Sequence, residues 1–207
     1  MSPDKHLAKF VADLRWHDVP VDVAEKVICH VLDALGVMYA GLSDPSSAAV
    51  RSLVGKGGDS PEASIVGCAG MAPASLAAFV NAFHGRIHTF DDTYEAGPVH
   101  AGAVVFSAAL AAGQHSHASG IDVLAAVLAG HEVAVRVASA LGPGHYASGF
   151  HCTGTCNAIG AAAAAARVMG LNCDGVVGAL GHAGAVTYTH LRAHETDSYR
   201  VCRLLLE

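Results

Sequence analysis

The chain has 207 residues, of which 52% are hydrophobic and 14% charged, and its net charge is −6. That composition supplies a large core and excludes intrinsic disorder, because disordered chains are polar and highly charged. The acidic balance, with no basic patch, excludes a nucleic-acid partner. The most apolar stretch, residues 101–113, is shorter than the roughly 18–20 residues a membrane span needs.

The N-terminal residues MSPDKHLAKFVADLRW carry scattered charges, unlike a secretory signal, so a cytoplasmic location is expected. Leu7, Phe10, Val11 and Leu14 recur at helical spacing. Pro20 opens a second helix whose stripe of Val23, Val27, Val31, Ala34, Leu35 and Met38 ends at Gly41. A short helix follows Asp44, and residues 63–67 read as a brief extended piece. A further helix begins at Ala72-Pro73 and runs through Phe83, proline being favoured in a first turn. Helices are then expected over about 100–113, 121–141, 154–169 and 174–185, rich in Gly and Ala, which permits close helix–helix approach. The expected fold class is all-α.

Six cysteines occur without a CxxC pair and read as isolated buried thiols in a reducing compartment. Fourteen histidines are harder to explain as structural residues. Two loops concentrate the polar groups. Residues 88–100, HTFDDTYEAGPVH, carry Asp91, Asp92, Thr93, Tyr94, Glu95 and two histidines between two nearly uncharged helices. Adjacent buried carboxylates repel, so one pKa rises unless a cation or hydrogen bonds relieve it, which is one route to a carboxyl suited to proton transfer. The plainer alternative is that Asp92 and Thr93 cap the next segment. The second polar segment, residues 142–164, presents His145 and His151 just before a Gly/Ala helix with Thr153 and Thr155, whose free N–H groups favour a carboxylate.

If the two loops converge, they form one pocket suited to removing a proton beside a carboxylate and protonating a leaving hydroxyl. The candidate catalytic groups are Asp91, Asp92, His100 and His151. Thr93 and Thr153 would orient substrate carboxylates, with Arg86 as a cationic partner. His88, Asp91, Asp92 and His100 are acceptable metal ligands, but no HxxxH or HxH spacing supports a metal, so none is expected. His88, His115, His117 and His131 read as loop or surface residues. Glu132 and Arg136 read as an intrahelical ion pair.

The order FDDTYEAGPVHAG, then GHEVAVR with Gly130, Glu132 and Arg136, then FHCTGT resembles the MmgE/PrpD family across residues 7–185. That family includes 2-methylcitrate dehydratase, cis-aconitate decarboxylase and iminodisuccinate epimerase. The resemblance implies a helical domain bearing the main pocket, with an α/β lid domain further along the chain. It also implies cofactor-free chemistry on small di- or tricarboxylates in a homodimer, as in propionate catabolism. The family's pocket residues fall on Thr93, His100 and His151, with Asp91 and Asp92 in the same motif. Many members carry an acid four residues before the Thr, where this chain has Thr89. The resemblance thus implies a 2-methylcitrate dehydratase-like lyase; decarboxylation, epimerisation and a non-catalytic helical module are the alternatives.

After Ala185 the composition changes: VTYTHLRAHETDSYRVCRLLLE is rich in Arg, His and acids. This tail resembles translated adapter from transposase-based DNA sequencing libraries, with an index-length insert correctly spaced inside it. The expectation is therefore an incomplete family domain over residues 1–185, an artefactual tail over 186–207, and an inactive fragment. Amplifying the locus from source DNA should yield coding sequence that diverges near codon 186 and runs beyond codon 207. Recovery of the same ending followed by a stop codon would overturn that expectation.

Overall fold

The structure is a computed structural model and describes residues 2–54 and 60–187. The expected helices all form. They are α1 (Pro3–Asp13), α2 (Val21–Gly41), α3 (Pro45–Arg51), α4 (Ala74–Arg86), α5 (Gly102–His115), α6 (Gly120–Ala147) and α7 (Cys152–Val168). Residues 173–187 form α8, which runs two residues past the boundary expected at 185. Residues 188–207, most of the anomalous tail with Cys202, lie outside the described residues. The fold is all-α with one minor addition. Strand β1 (Ala63–Ser64) pairs antiparallel with β2 (Met71–Ala72). The extended piece was expected but its partner was not, and Ala72 belongs to β2 rather than to the first turn of α4. Among the described residues no single helix is long and apolar enough to cross a membrane.

Local chemistry sets the helix starts. Asp44 caps α3 by accepting the N–H of Ser46 at 2.9 Å, and Ser119 caps α6 by accepting that of Asp122 at 3.2 Å. α6 was expected to stop near residue 141. It breaks at Gly142, whose φ of +61° suits only glycine without strain, and resumes after Pro143 for one more turn.

The core forms where α5 lies among α2, α4, α6 and α7. Val27, Ala34 and Met38 from α2 meet Val105, Phe106 and Ala109 from α5, with Val127 and Ala134 of α6 and Ala164 of α7 closing the other side. A second cluster joins α1 to the far side of α6, α7 and α8 through Val11, Val133, Ala163 and Val176. Arg167 ties these together by donating to the carbonyl of Leu14 at the end of α1, from Nε at 2.9 Å and Nη2 at 2.5 Å.

Small residues let α6 and α7 touch at their backbones. A Cβ at Gly130 would lie 2.8 Å from the Gly160 carbonyl oxygen, and one at Gly160 would lie 2.8 Å from that of Gly130. Backbone cannot yield as a flexible side chain does, so the pair fixes the approach of α7 to α6. Gly130→Ala is expected to cost about 1–3 kcal/mol through overpacking, against roughly 1 kcal/mol regained in helix propensity. Gly178→Ala in α8, where nothing lies within 4 Å, should be neutral or stabilising; urea unfolding of both variants checks the contrast.

Candidate active site

Residues 87–101 link α4 to α5 and hold the adjacent carboxylates. The two side chains diverge. Asp91 is buried, 5% exposed, and its Oδ1 accepts from Arg86 Nη1 at 2.5 Å, with His100 Nδ1 4.0 Å away. Its Oδ2 has no hydrogen-bond partner among the described residues. Asp92 turns the other way. Its Oδ2 lies 2.9 Å from His30 Nδ1 on α2 and 3.3 Å from His131 Nε2 on α6, while Oδ1 accepts the Gly102 N–H at 2.6 Å. Burial alone would raise the Asp92 pKa, but the contacts of its carboxylate with His131 and His30, and the Gly102 N–H, outweigh it. The carboxyl is held well below the ordinary range and is ionised. The same contact raises the His30 pKa, against burial, which lowers it.

Both readings of the DDT motif therefore apply to different atoms. Relief of the carboxylates comes from one cationic partner for Asp91 and two histidines for Asp92. Asp92 also caps a helix start, that of α5, ten residues further on. Gly102 must be glycine there, because a Cβ would sit 2.7 Å from Asp92 Oδ1.

The two polar loops meet. The His100 backbone N–H donates to Thr153 Oγ1 at 3.2 Å, and Asn157 Nδ2 donates to the His100 carbonyl at 2.5 Å. The first turns of α7 thus clamp the residue that precedes α5. The His100 ring turns its Nδ1 to the Asp92 carbonyl oxygen at 3.2 Å and to Thr93 Oγ1 at 3.1 Å. A carbonyl only accepts, so Nδ1 carries the proton and Nε2 of the neutral ring carries the lone pair. His151 has the opposite arrangement. As N-cap of α7 its Nδ1 accepts the Gly154 N–H at 3.3 Å, so the neutral ring has its proton on Nε2. His145 Nε2 is 2.8 Å from Thr155 Oγ1, and its ring stacks on Phe150.

A cavity of about 800 Å³ opens between α2, α6 and the 92–101 segment. Of the residues expected to be catalytic or substrate-binding, Asp92 and Thr93 line it. Thr93 is the link to His100, which with His151, Asp91, Thr153 and Arg86 is not among the lining residues. The Arg86 guanidinium is engaged by Asp91. His131, expected at the surface, instead lines the cavity with its side chain 15% exposed. The reason is its place on α6, four residues from both Val127 and Val135, which share that wall. His30 escaped notice altogether, yet it lies three and seven residues after Val27 and Val23 in the apolar stripe of α2. A histidine in register with an apolar stripe was the available signal in both cases. Glu132 and Arg136 form the expected pair at 2.7 Å and also edge the cavity, as does Lys26.

His30, Asp92 and His131 each offer one ligand atom, and the three atoms lie within 4.8 Å of one another. The described cysteines differ in burial, with Cys68 and Cys173 intermediate. Cys152 and Cys156 are buried beside Val99 and Ala138, and burial raises both thiol pKa values, so they match the expected inert thiols. Cys29 departs from that expectation and is exposed, because it sits on the outer face of α2.

A model of the MmgE/PrpD N-terminal domain matches residues 5–203. The chain belongs to the MmgE/PrpD family. It is 28% identical over 183 residues to the cis-aconitate decarboxylase-like protein oryM of Aspergillus oryzae, a match covering 84% of this chain and 38% of that protein. It is 26% identical over 181 residues to the cis-aconitate decarboxylase of Aspergillus terreus, covering 84% and 37%. The chain therefore spans less than two-fifths of the length of these relatives.

The Asp91–Arg86 pair gives this member of the family a stability test. Removing the cation leaves a buried carboxylate unpaired, which costs about 3–5 kcal/mol. Arg86→Met should lower the unfolding midpoint accordingly, and Asp91→Asn in the same background should recover part of the loss. A substrate-binding role for Arg86 would instead appear as a raised KM at unchanged stability in the full-length protein.

Proposed function

We propose that the full-length protein is a lyase that dehydrates a small di- or tricarboxylate, such as 2-methylcitrate, by general acid–base proton transfer. The observation that carries this reading is that two histidines on meeting loops turn Nδ1 to opposite backbone groups, a carbonyl for His100 and an N–H for His151. In the neutral rings this leaves a lone pair on His100 Nε2 and a proton on His151 Nε2. In the dehydration, His100 takes the proton α to a substrate carboxylate, and the C–H electron pair becomes the new C=C bond. The C–O bond breaks on the adjacent carbon, and His151 protonates the departing hydroxyl, which leaves as water. Thr93, hydrogen-bonded to His100 and facing the cavity, orients a substrate carboxylate, and Thr153 serves the same end from α7. Asp91 and Asp92 act by holding Arg86, Gly102 and the two cavity histidines in position. Lys26 and Arg136 supply positive charge for further carboxylates.

A second reading is favoured by the printed names of the relatives, both of which are cis-aconitate decarboxylases or similar to one. There the C–C bond to a carboxylate breaks, carbon dioxide leaves, and the same histidine pair returns a proton to the carbon that keeps the electron pair. Thr89, at the position where many members have an acid, bears on this choice. It ends the turn after α4 with a φ of +54°, so its backbone is fixed in a conformation that a β-branched residue seldom adopts.

Because the chain spans under two-fifths of its relatives, the activity, the substrate and a homodimeric state are proposed for the whole protein. The test is to assay the full-length protein on 2-methylcitrate, citrate, cis-aconitate and iminodisuccinate, following unsaturation and carbon dioxide release separately. His100→Gln and His151→Gln should each lower kcat by about 10²–10⁴-fold, far beyond what the ~1 kcal/mol lost with the α7 cap in His151→Gln would cause. A loss confined to Tm would assign both residues to the scaffold and refute the acid–base reading.

A further inference from the structure

The gap between His131 and Asp92 is chemically incomplete. His131 Nδ1 lies 2.9 Å from the Val127 carbonyl oxygen, which can only accept, so Nδ1 donates its proton there. In the neutral ring Nε2 then presents a lone pair, and it faces Asp92 Oδ2 at 3.3 Å. Two acceptors face each other across a hydrogen-bond distance unless a positive charge lies between them. His30 Nδ1 approaches the same oxygen at 2.9 Å from the opposite helix. The three atoms therefore converge on one point rather than forming a chain.

We propose that His30 Nδ1, Asp92 Oδ2 and His131 Nε2 form a binding site for a divalent transition metal of the zinc class, open to the 800 Å³ cavity. Two imidazoles and a carboxylate suit zinc, cobalt or ferrous iron and disfavour magnesium or calcium, which take oxygen ligands. Metal–ligand bonds of about 2.1 Å separate neighbouring ligand atoms by about 3.0 Å in octahedral and about 3.4 Å in tetrahedral geometry. The observed 2.9 and 3.3 Å to Asp92 lie near these values, and the two histidine nitrogens, within 4.8 Å of each other, would draw together on the metal.

The surroundings also match a built site. The Val127 carbonyl fixes the ring and tautomer of His131, and the Gly102 N–H holds Asp92 Oδ1 at 2.6 Å so that Oδ2 is the ligand atom. Both histidines stand on long packed helices, and their ring centroids are 5.2 Å apart. Three protein ligands leave at least one coordination position, which faces the cavity, where Lys26 and Arg136 also lie. An oxygen ligand such as a carboxylate or hydroxyl fits that position. Sequence spacing carries no sign of this site, because its ligands come from three separated segments, α2, the 87–101 loop and α6.

The test needs no substrate, so its failure is separable from failure of the lyase reading. The chain is stripped with chelator and titrated with Co²⁺ and Zn²⁺, following visible d–d absorption and calorimetry, and its Tm is compared with and without Zn²⁺. One ion per chain is expected, with d–d bands indicating nitrogen and oxygen ligands and a Tm raised by Zn²⁺. Loss of an outer-shell partner alone costs about 10–100-fold in affinity, so removal of a ligand should cost at least about 100-fold. His30→Gln, His131→Gln and the double variant should show that loss while keeping the helical circular dichroism of the parent. Should His131→Gln fail to fold, His30→Gln at the more exposed edge of the site carries the comparison alone. Binding of no ion, or equal binding in the parent and the His30→Gln chain, would show that a proton rather than a metal fills the gap.

Discussion

The Asp92 carboxylate joins the helices that make the cavity. One oxygen receives His30 from α2 and His131 from α6, and the other receives the first N–H of α5. Burial of a carboxylate is costly alone, and these three contacts are what make it tolerable. Asp92 thereby fixes the distance between α2 and α6 and the starting point of α5. Its own position depends on Asp91, which turns back to Arg86 and anchors the loop to the end of α4.

Backbone proximity elsewhere makes this arrangement reach the second loop. Gly130 and Gly160 allow α6 and α7 to approach until carbonyl oxygens lie where side chains would otherwise stand. That approach delivers the first turn of α7 to the 99–101 segment, where Thr153 and Asn157 hold both polar groups of the His100 peptide. Packing of small residues, an energetic matter, thus becomes a matter of chemistry. His100 and His151 lie on connected loops because glycines far from either of them let two helices touch.

Opposite tautomers follow from the same backbone. His100 donates to a carbonyl that the 91–93 turn presents, and His151 accepts from an N–H that the start of α7 leaves without an intrahelical partner. Neither outcome depends on the intrinsic properties of histidine. Backbone polarity at the two positions orients the rings, and the proton-handling nitrogen of each is assigned by what the other nitrogen already binds.

The amino-acid sequence by itself determined the helices, since apolar spacing and Pro, Gly, Ser and Asp boundaries are local signals. It also marked residues 88–100 and 142–164 as the polar, family-bearing segments. It did not contain the β1–β2 pairing, which needs a partner strand, or the resumption of α6 beyond Gly142, where His145 meets Thr155 of α7. Cavity membership of His30 and His131 was likewise decided by tertiary structure. Each sits in register with valines of its own helix, but a histidine in an apolar stripe becomes a site only when another segment brings it a partner. Asp92 is that partner, and three segments distant in sequence must pack together before the two rings and the carboxylate can converge.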